Sequence, residues 1–222
     1  MHTGTGRIVE LLLEDGCRYA RIVCPGNLIP DPGQYLLAGH GPDSVLPVPI
    51  FHTDSASDGF IGPAFEGWKP GDLLALRGPL GRGFSLPVSA RKVALIAFDG
   101  PPARLRGLIP PALRQRASVV LLCDSTPDHL PDVIEVLPVS AIKEIFQWAD
   151  YIALDVKRTS FNVLMENLRG SSRHAALPFA QVLVQAPMPC GGLADCSVCA
   201  LTAGSGWKLV CREGPVFDLG EL

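Results

Sequence analysis

Apolar positions in the first part of the chain form short runs that turn residues interrupt. Runs rich in Val, Ile and Leu alternate with Pro, Gly and Asp, a pattern typical of the strands of a small antiparallel barrel. The predicted strands are Arg7 to Glu14, Cys17 to Cys24, Gln34 to Ala38, Val45 to His52 and Asp72 to Arg77. We therefore predict an all-β domain over residues 1–90.

The pattern changes at Arg91, where an apolar run begins. Lys92 to Phe98 is nearly continuous in apolar residues, as in strands that are buried on both faces of a parallel sheet. Further strands and helices are predicted to alternate after it: helix Leu105 to Arg116, strand Ser118 to Cys123, helix Val139 to Trp148, strand Tyr151 to Asp155, helix Phe161 to Leu168 and strand Gln181 to Gln185. This alternation predicts a doubly wound α/β domain over residues 91–185.

The tail, residues 186–222, has little regular periodicity. It contains Pro187, Pro189 and several glycines, together with four of the seven cysteines. A segment this short cannot bury a core of its own and usually needs a metal or a cluster to fold. We therefore expect a separate C-terminal subdomain organised by such a group.

Composition narrows the classes of function. The chain has 222 residues, 47% of them apolar, which is enough for a substantial core. Its formal charge is only -3 and it has no basic run, so we expect no nucleic-acid partner. The first seven residues lack the apolar region of a signal peptide, and no stretch approaches the roughly 20 apolar residues of a membrane span. These features predict a cytoplasmic protein without a membrane partner.

The cysteines of the tail have the spacing of a metal or cluster site. In a reducing compartment seven cysteines are not expected to form a disulfide framework. Cys190, Cys196, Cys199 and Cys211 are separated by five, two and eleven residues. Short spacings, small intervening residues and a remote fourth thiolate favour a [2Fe-2S] cluster, and the pattern is one residue longer than the plant-type C-x4-C-x2-C spacing.

A structural zinc ion is the alternative for these four residues. Zinc ribbons usually contain two C-x2-C pairs, whereas only Cys196 and Cys199 make such a pair here. Cys17, Cys24 and Cys123 lie in apolar strand-like segments and are interpreted as small core residues.

Several motifs resemble one family, the electron-transfer subunit of class 1B dihydroorotate dehydrogenase (the PyrK family). They are Met188 to Gly192, Cys211 to Phe217, the Pro32-Gly33-Gln34-Tyr35 segment and Gly78 to Phe84. The resemblance covers most of the chain. It implies a ferredoxin-reductase-like fold: an FAD-type β-barrel, a nucleotide-binding α/β domain and a C-terminal [2Fe-2S] loop. It also implies cluster ligands at Cys190, Cys196, Cys199 and Cys211 and a role connected with pyrimidine biosynthesis.

The flavin motif of that family is altered in this sequence. Relatives have Arg-Pro-x-Ser, with groups that bind the flavin and its phosphate, where this chain has Leu46-Pro47-Val48-Pro49. Leucine cannot donate charge-assisted bonds to phosphate, and proline lacks both a hydroxyl and an N–H group. The segment from Pro49 to Gly78 is short and has no Gly-x-Gly-Thr turn to open a phosphate-binding helix. These losses argue against FAD bound in the usual mode, although an altered mode stays open.

The nicotinamide motifs are altered as well. Relatives have a glycine-rich turn after the first α/β strand, whereas this chain has Asp99-Gly100-Pro101-Pro102-Ala103. The two prolines remove N–H donors and Asp99 adds a carboxylate that repels phosphate. Where relatives have Cys-Gly-Pro, the sequence reads Leu154 to Lys157. Binding of NAD is therefore not expected.

Three hypotheses for function follow. The first is an electron-transfer subunit that passes electrons through its cluster to or from a flavin-bearing oxidoreductase, as part of a hetero-oligomer. The second is a complete FAD-containing, NAD(P)H-dependent reductase, and the third is a zinc-binding structural subunit. No catalytic residues are predicted, since the histidines are scattered and surface or loop positions explain them. Trp207 and Leu209 are expected to shield the cluster rather than face a partner.

Overall fold

Two β-sheets dominate the structure. The computed structural model describes residues 1–14, 16–40, 47–125, 127, 129–169, 179–204 and 206–222. Within these residues, seven antiparallel strands form the first, barrel-like sheet in the order β4-β3-β7-β1-β2-β6-β5. The strands are β1 (His2–Glu14), β2 (Cys17–Val23), β3 (Tyr35–His40), β4 (Val48–Phe51), β5 (Asp54–Ala56), β6 (Gly59–Pro63) and β7 (Leu73–Leu80).

The second sheet is parallel apart from its last strand. In the described part of the chain its order is β10-β9-β8-β11-β12-β15, and only β15 runs antiparallel to its neighbour. Its strands are β8 (Lys92–Ala97), β9 (Ser118–Leu122), β10 (Glu135–Leu137), β11 (Tyr151–Lys157), β12 (Phe179–Gln185) and β15 (Val216–Asp218). The helices that follow its strands are α1 (Ala103–Arg106), α2 (Ile109–Arg114), α3 (Ile142–Trp148) and α4 (Phe161–Arg169). This arrangement confirms the predicted combination of a barrel-like sheet and a parallel α/β sheet.

Burial on both faces explains the apolar run at the start of the second sheet. Ala94 and Ile96 of β8 point into a core that α3 and α4 cover, while Val93 and Leu95 join the core on the α1 and α2 side. Successive side chains of a strand point to opposite faces, so a strand covered on both faces must be apolar throughout. A third core fills the barrel-like sheet.

The tail contributes to the same architecture. It contains the hairpin β13 (Ala200–Ala203) and β14 (Gly206–Leu209), the short helix α5 (Val210–Glu213) and the edge strand β15. Val210 and Phe217 are fully buried in the core that the second sheet shares with α3 and α4. The tail therefore gains apolar burial from the α/β layer, and the division into three domains at residues 90 and 185 stays a prediction.

Several local predictions differ from the structure. The residues around Asp54 and Asp58 form the hairpin of β5 and β6, which the apolar pattern did not predict, because β5 is a short strand with polar, exposed side chains. The helix expected over Leu105 to Arg116 is split into α1 and α2. His52, expected at a surface or loop position, lies in the loop between β4 and β5 but is buried. Leu46 and His174 lie outside the described residues.

None of the helices in the described part of the chain has the length and apolarity that a membrane crossing requires.

Candidate functional site

The loop that carries three of the four tail cysteines has an unusual backbone. We refer to residues 190–199 as the cysteine loop. Four of its residues have positive φ angles: 59° at Gly191, 77° at Gly192, 64° at Ala194 and 54° at Ser197. Residues in this left-handed region turn successive amide groups toward one side of the chain, which forms a concave site for an anion or for sulfur. Ala194 and Ser197 adopt it despite their side chains.

The four thiols lie close together as two pairs. The Cys196 side chain hydrogen-bonds the sulfur of Cys190. Cys199 contacts Cys211 in the same way, and the Cys211 amide donates to the Cys199 sulfur at 3.5 Å. The outer pair is partly exposed at Cys190 and exposed at Cys196, whereas the inner pair, Cys199 and Cys211, is buried. The structure therefore brings all four predicted ligands into one region that reaches from the core to the surface.

Backbone amides of the loop converge on these sulfurs. Desolvation raises the pKa of Cys190, but hydrogen bonds from Cys196 and from the amides of Asp195, Ala194 and Leu193 outweigh it and lower the pKa from 9.0 to about 6. At the inner pair, burial and the neighbouring Cys199 raise the pKa of Cys211 to about 12, against a hydrogen bond from the Ala194 amide. Cys190 is thus more readily deprotonated than Cys211, because hydrogen-bond donors surround its sulfur whereas Cys211 is buried.

The arrangement of the four thiols indicates which kind of metal centre they could bind. Among the described residues, no group of three or more His, Cys, Asp or Glu side chains is arranged as a metal site. A single zinc ion needs four ligands around one point, with sulfur about 2.3 Å from the metal. Here the thiols form two neighbouring pairs. This arrangement suits a centre with two metal atoms, in which each metal atom has two cysteine ligands. The donor set and the inward amides fit a [2Fe-2S] group, whose four protein ligands are thiolates.

The remaining cysteines lie elsewhere. Cys24 and Cys123 are buried, in the barrel core and in the core beside α1 and α2 respectively. Cys17 is only half-buried, so its interpretation as a core residue was wrong. None of the seven cysteines, all of which the structure describes, forms a disulfide.

The altered flavin motif lies directly against the cysteine loop. A Cβ atom added at Gly191 would lie 3.1 Å from Cγ of Pro47, the residue that precedes β4. Residues 47–80 are all described, and they contain strands and turns but no helix that opens toward this position. Residues 47–80 therefore present no helix terminus to a flavin phosphate here, and the sequence has Leu46 in place of the charged side chain of the family's motif.

The crevice at the carboxyl ends of the parallel strands is lined by cations. The strand order reverses between β8 and β11, which is where ligands bind in open α/β sheets. A cavity of about 410 Å³ lies at this edge, with Phe51, Arg104, Lys157 and Arg158 in its wall. Its position corresponds to the nucleotide site that the resemblance implied.

Internal contacts already engage the polar groups at this edge. The Asp99 carboxylate accepts hydrogen bonds from the Lys157 amide at 3.0 and 3.2 Å, and the Lys157 ammonium donates to the Asp99 carbonyl at 2.8 Å. Beside them, Arg104 pairs with the buried Asp155 at 2.9 Å, and Gln185 donates to the same carboxylate at 2.6 Å. Asp99 thus faces the end of β11. The Arg104–Asp155 pair was not predictable from the sequence, since no local pattern connects residues that are 51 positions apart.

Three apolar side chains are exposed in the cysteine loop and in the hairpin that follows it. Leu193 and Val198 of the cysteine loop are 59% and 42% exposed, and Trp207 of the adjoining hairpin is 75% exposed. Trp207 therefore does not cover the sulfurs, and the expectation that it shields them was wrong. Leu209 is partly buried against the core.

Comparison with solved structures identifies the fold. No protein-family model and no curated protein matches the chain. An NADH-dependent reduced ferredoxin-NADP oxidoreductase, studied for flavin-based electron bifurcation, superposes with a TM-score of 0.73 at 17% identity, over 99% of this chain and 90% of that one. The ferredoxin reductase of carbazole 1,9a-dioxygenase gives 0.60 at 17% identity, over 77% of this chain and 65% of that one. Ferredoxin-NADP+ reductase from Plasmodium falciparum gives 0.59 at 11% identity, over 77% and 91%. The chain thus has the fold of ferredoxin reductases.

Proposed function

We propose that this protein is an electron-transfer subunit that holds a [2Fe-2S] cluster on Cys190, Cys196, Cys199 and Cys211. In this role it resembles the electron-transfer subunit of class 1B dihydroorotate dehydrogenase. The observation that carries the proposal is the convergence of two thiol pairs and several loop amides on one small region. Amides that hydrogen-bond thiolates are a recurring means of stabilising iron–sulfur clusters and tuning their potentials.

The exposure of the site suits exchange of electrons with another protein. Electron transfer weakens steeply with distance, so a relay must bring its redox group near the surface. Cys196 is exposed, and Leu193 and Val198 of the same loop supply exposed apolar area close to it in sequence. Exposed apolar side chains that cluster beside a functional group are typical of interaction sites. We propose that a flavin-bearing oxidoreductase docks on this face, as part of a hetero-oligomer.

The fold supports a second candidate, a reductase that binds FAD itself. The structural neighbours include ferredoxin reductases, and the crevice beside Phe51 keeps a cavity of about 410 Å³. Against this candidate, the sequence lacks the arginine and serine of the family's flavin motif, residues 47–80 contain no helix, and Asp99 and Lys157 bond to one another. Flavin released in near-equal amount to the chain on denaturing the purified protein would favour the second candidate over the first.

Anaerobic purification with elemental analysis tests the proposed function. We expect about two iron atoms and two acid-labile sulfides per chain, visible absorbance and an EPR signal after reduction. Zinc without iron or sulfide would instead identify a structural metal site and reject the relay.

Single substitutions test the ligands. Cys196→Ser and Cys199→Ser should each remove the visible absorbance, since each deletes one thiolate. Cys123→Ser is the matched control, because Cys123 is a buried thiol whose sulfur donates to the Ser125 carbonyl in another core. A Cys199→Ser variant with full iron content and an unchanged spectrum would show that this assignment is wrong.

A further inference from the structure

The cysteine loop is tied to the barrel-like sheet by two side chains that are distant in sequence. Arg77 of β7 donates from Nη2 to the Gly191 carbonyl at 2.9 Å. Tyr35 of β3 donates from its hydroxyl to the Cys211 carbonyl at 3.2 Å. One bond holds the residue after Cys190 and the other holds Cys211 itself. The two ends of the cysteine set are therefore anchored on a sheet that contains none of the four cysteines.

Packing leaves Tyr35 little freedom to move. Its side chain is fully buried, and its ring lies 5.5 Å from that of Phe51. A Cβ atom added at Gly192, where φ is 77°, would lie 3.0 Å from the Tyr35 hydroxyl. The loop backbone thus lies so close to the hydroxyl that a side chain at position 192 would crowd it. A buried hydroxyl that lost its acceptor would be left unsatisfied, which favours the observed position of the loop.

The charge of Arg77 lies beside the first of the four cysteines. Its Nη2 atom is 2.9 Å from the carbonyl oxygen of Gly191, the residue directly after Cys190, and this bond is partly buried. Arginine stays charged under all ordinary conditions.

We propose that Tyr35 and Arg77 are positioning residues for the cluster loop, and that the charge of Arg77 raises the reduction potential of the group held there. This inference rests on the proposed function. A [2Fe-2S] centre on four thiolates is anionic and gains one further negative charge when it accepts an electron. A nearby cation stabilises the reduced form more than the oxidised form, so its removal makes the potential more negative.

Conservative variants separate charge from position. Arg77→Gln keeps an N–H donor for the Gly191 carbonyl but removes the charge, whereas Arg77→Lys keeps the charge. In an EPR-monitored redox titration of the intact protein, we expect a more negative midpoint for Arg77→Gln and a midpoint near the wild-type value for Arg77→Lys. Equal midpoints for Arg77→Gln and the wild type would overturn the electrostatic part of the proposal.

Tyr35→Phe tests positioning, since it removes only the hydroxyl. Loss of a supporting contact around a metal typically weakens binding by about 10- to 100-fold, so we expect iron release to a chelator to accelerate by about that range. Tyr151→Phe is the matched control: Tyr151 is also fully buried and donates to Gln181 at 3.0 Å in the second sheet. Release from Tyr35→Phe at the rate of Tyr151→Phe would overturn the positioning role.

The two proposals fail in different ways. If the wild-type protein holds no iron or sulfide, the proposed relay fails. Hydrogen–deuterium exchange of residues 188–200 still tests the anchoring in that case, since Tyr35→Phe and Arg77→Gln should exchange faster than Tyr151→Phe. If the cluster is present and both the potential and its release rate are unchanged in the variants, the relay stands and the positioning role fails.

Discussion

The ion pair between Arg104 and Asp155 makes the crevice of the second sheet a sensitive site for substitution. Asp155 is 2% exposed and Arg104 17% exposed, with 2.9 Å between Nε and Oδ2. Arg104→Met keeps much of the side-chain volume but leaves a buried carboxylate with Gln185 as its partner. Breaking a buried pair in this way costs about 3–5 kcal/mol at neutral pH, and we expect that loss in the free energy of unfolding.

The loss should depend on pH in a defined direction. Burial raises the pKa of Asp155 above 3.8, and Arg104 opposes this effect, so the pKa rises further in the variant. The folded variant then binds its proton more tightly than the unfolded chain does. The stabilisation that this proton provides is therefore fully present below about pH 4 and is lost as pH rises toward the raised folded-state pKa. Between the unfolded and folded pKa values, the free energy of unfolding falls by about 1.4 kcal/mol for each pH unit.

Urea unfolding at pH 5 and pH 8 measures this prediction. The deficit of Arg104→Met should be larger at pH 8, and Arg104→Met combined with Asp155→Asn should recover much of it, since the amide carries no charge. Arg82→Met is the control, because Arg82 is 46% exposed in its pairs with Asp218 and Glu221 and should cost at most about 1 kcal/mol. A deficit for Arg104→Met as small as that of the control, or one independent of pH, would refute the reasoning.

Two further substitutions test buried positions in the barrel-like sheet. Burial lowers the pKa of His52 below 6.5 despite the opposing charges of Asp54 and Asp31, so stability should fall as pH drops below about 6.5. His52→Gln should flatten this pH dependence, which thermal unfolding between pH 5 and 7 measures. Gly59→Ala should cost about 1–3 kcal/mol in urea unfolding, because the new Cβ would lie 1.9 Å from the Ile22 carbonyl oxygen. Gly26→Ala, which meets nothing within 4 Å, is the control for it, and equal stability of the two variants would contradict the packing argument.

Strong periodic patterns made much of the fold predictable. The run from Lys92 to Phe98 identified a strand that is buried on both faces, and β8 occupies Lys92–Ala97. The short apolar runs before it located β2 and β3 to within two residues and β7 to within three residues, whereas the first five residues of β1 were not predicted. Edge strands such as β5 and β10 were missed, since three-residue strands with polar or exposed side chains carry little periodicity.

The candidate site was predictable only where it is local in sequence. The spacing of Cys190, Cys196 and Cys199 places three thiols within ten residues, so their proximity needs no knowledge of the fold. Tyr35 belongs to one of the segments that carry the family resemblance, but the bond from Tyr35 to Cys211 joins residues 176 positions apart. No spacing rule predicts such a contact, because sheet pairing and sheet packing alone determine it.

The sequence by itself therefore determined the type of each layer and the set of thiols available to a redox group. Periodicity reports which faces of a strand or helix are buried, and short spacings report which ligands can meet. Only the tertiary structure decided how the thiols divide into an exposed and a buried pair, and that the barrel-like sheet anchors their loop through Tyr35 and Arg77. It also decided that Asp99 bonds to Lys157 and Asp155 to Arg104 at the crevice between β8 and β11. These outcomes depend on contacts between segments that are far apart in sequence, and such contacts form only once the sheets have packed.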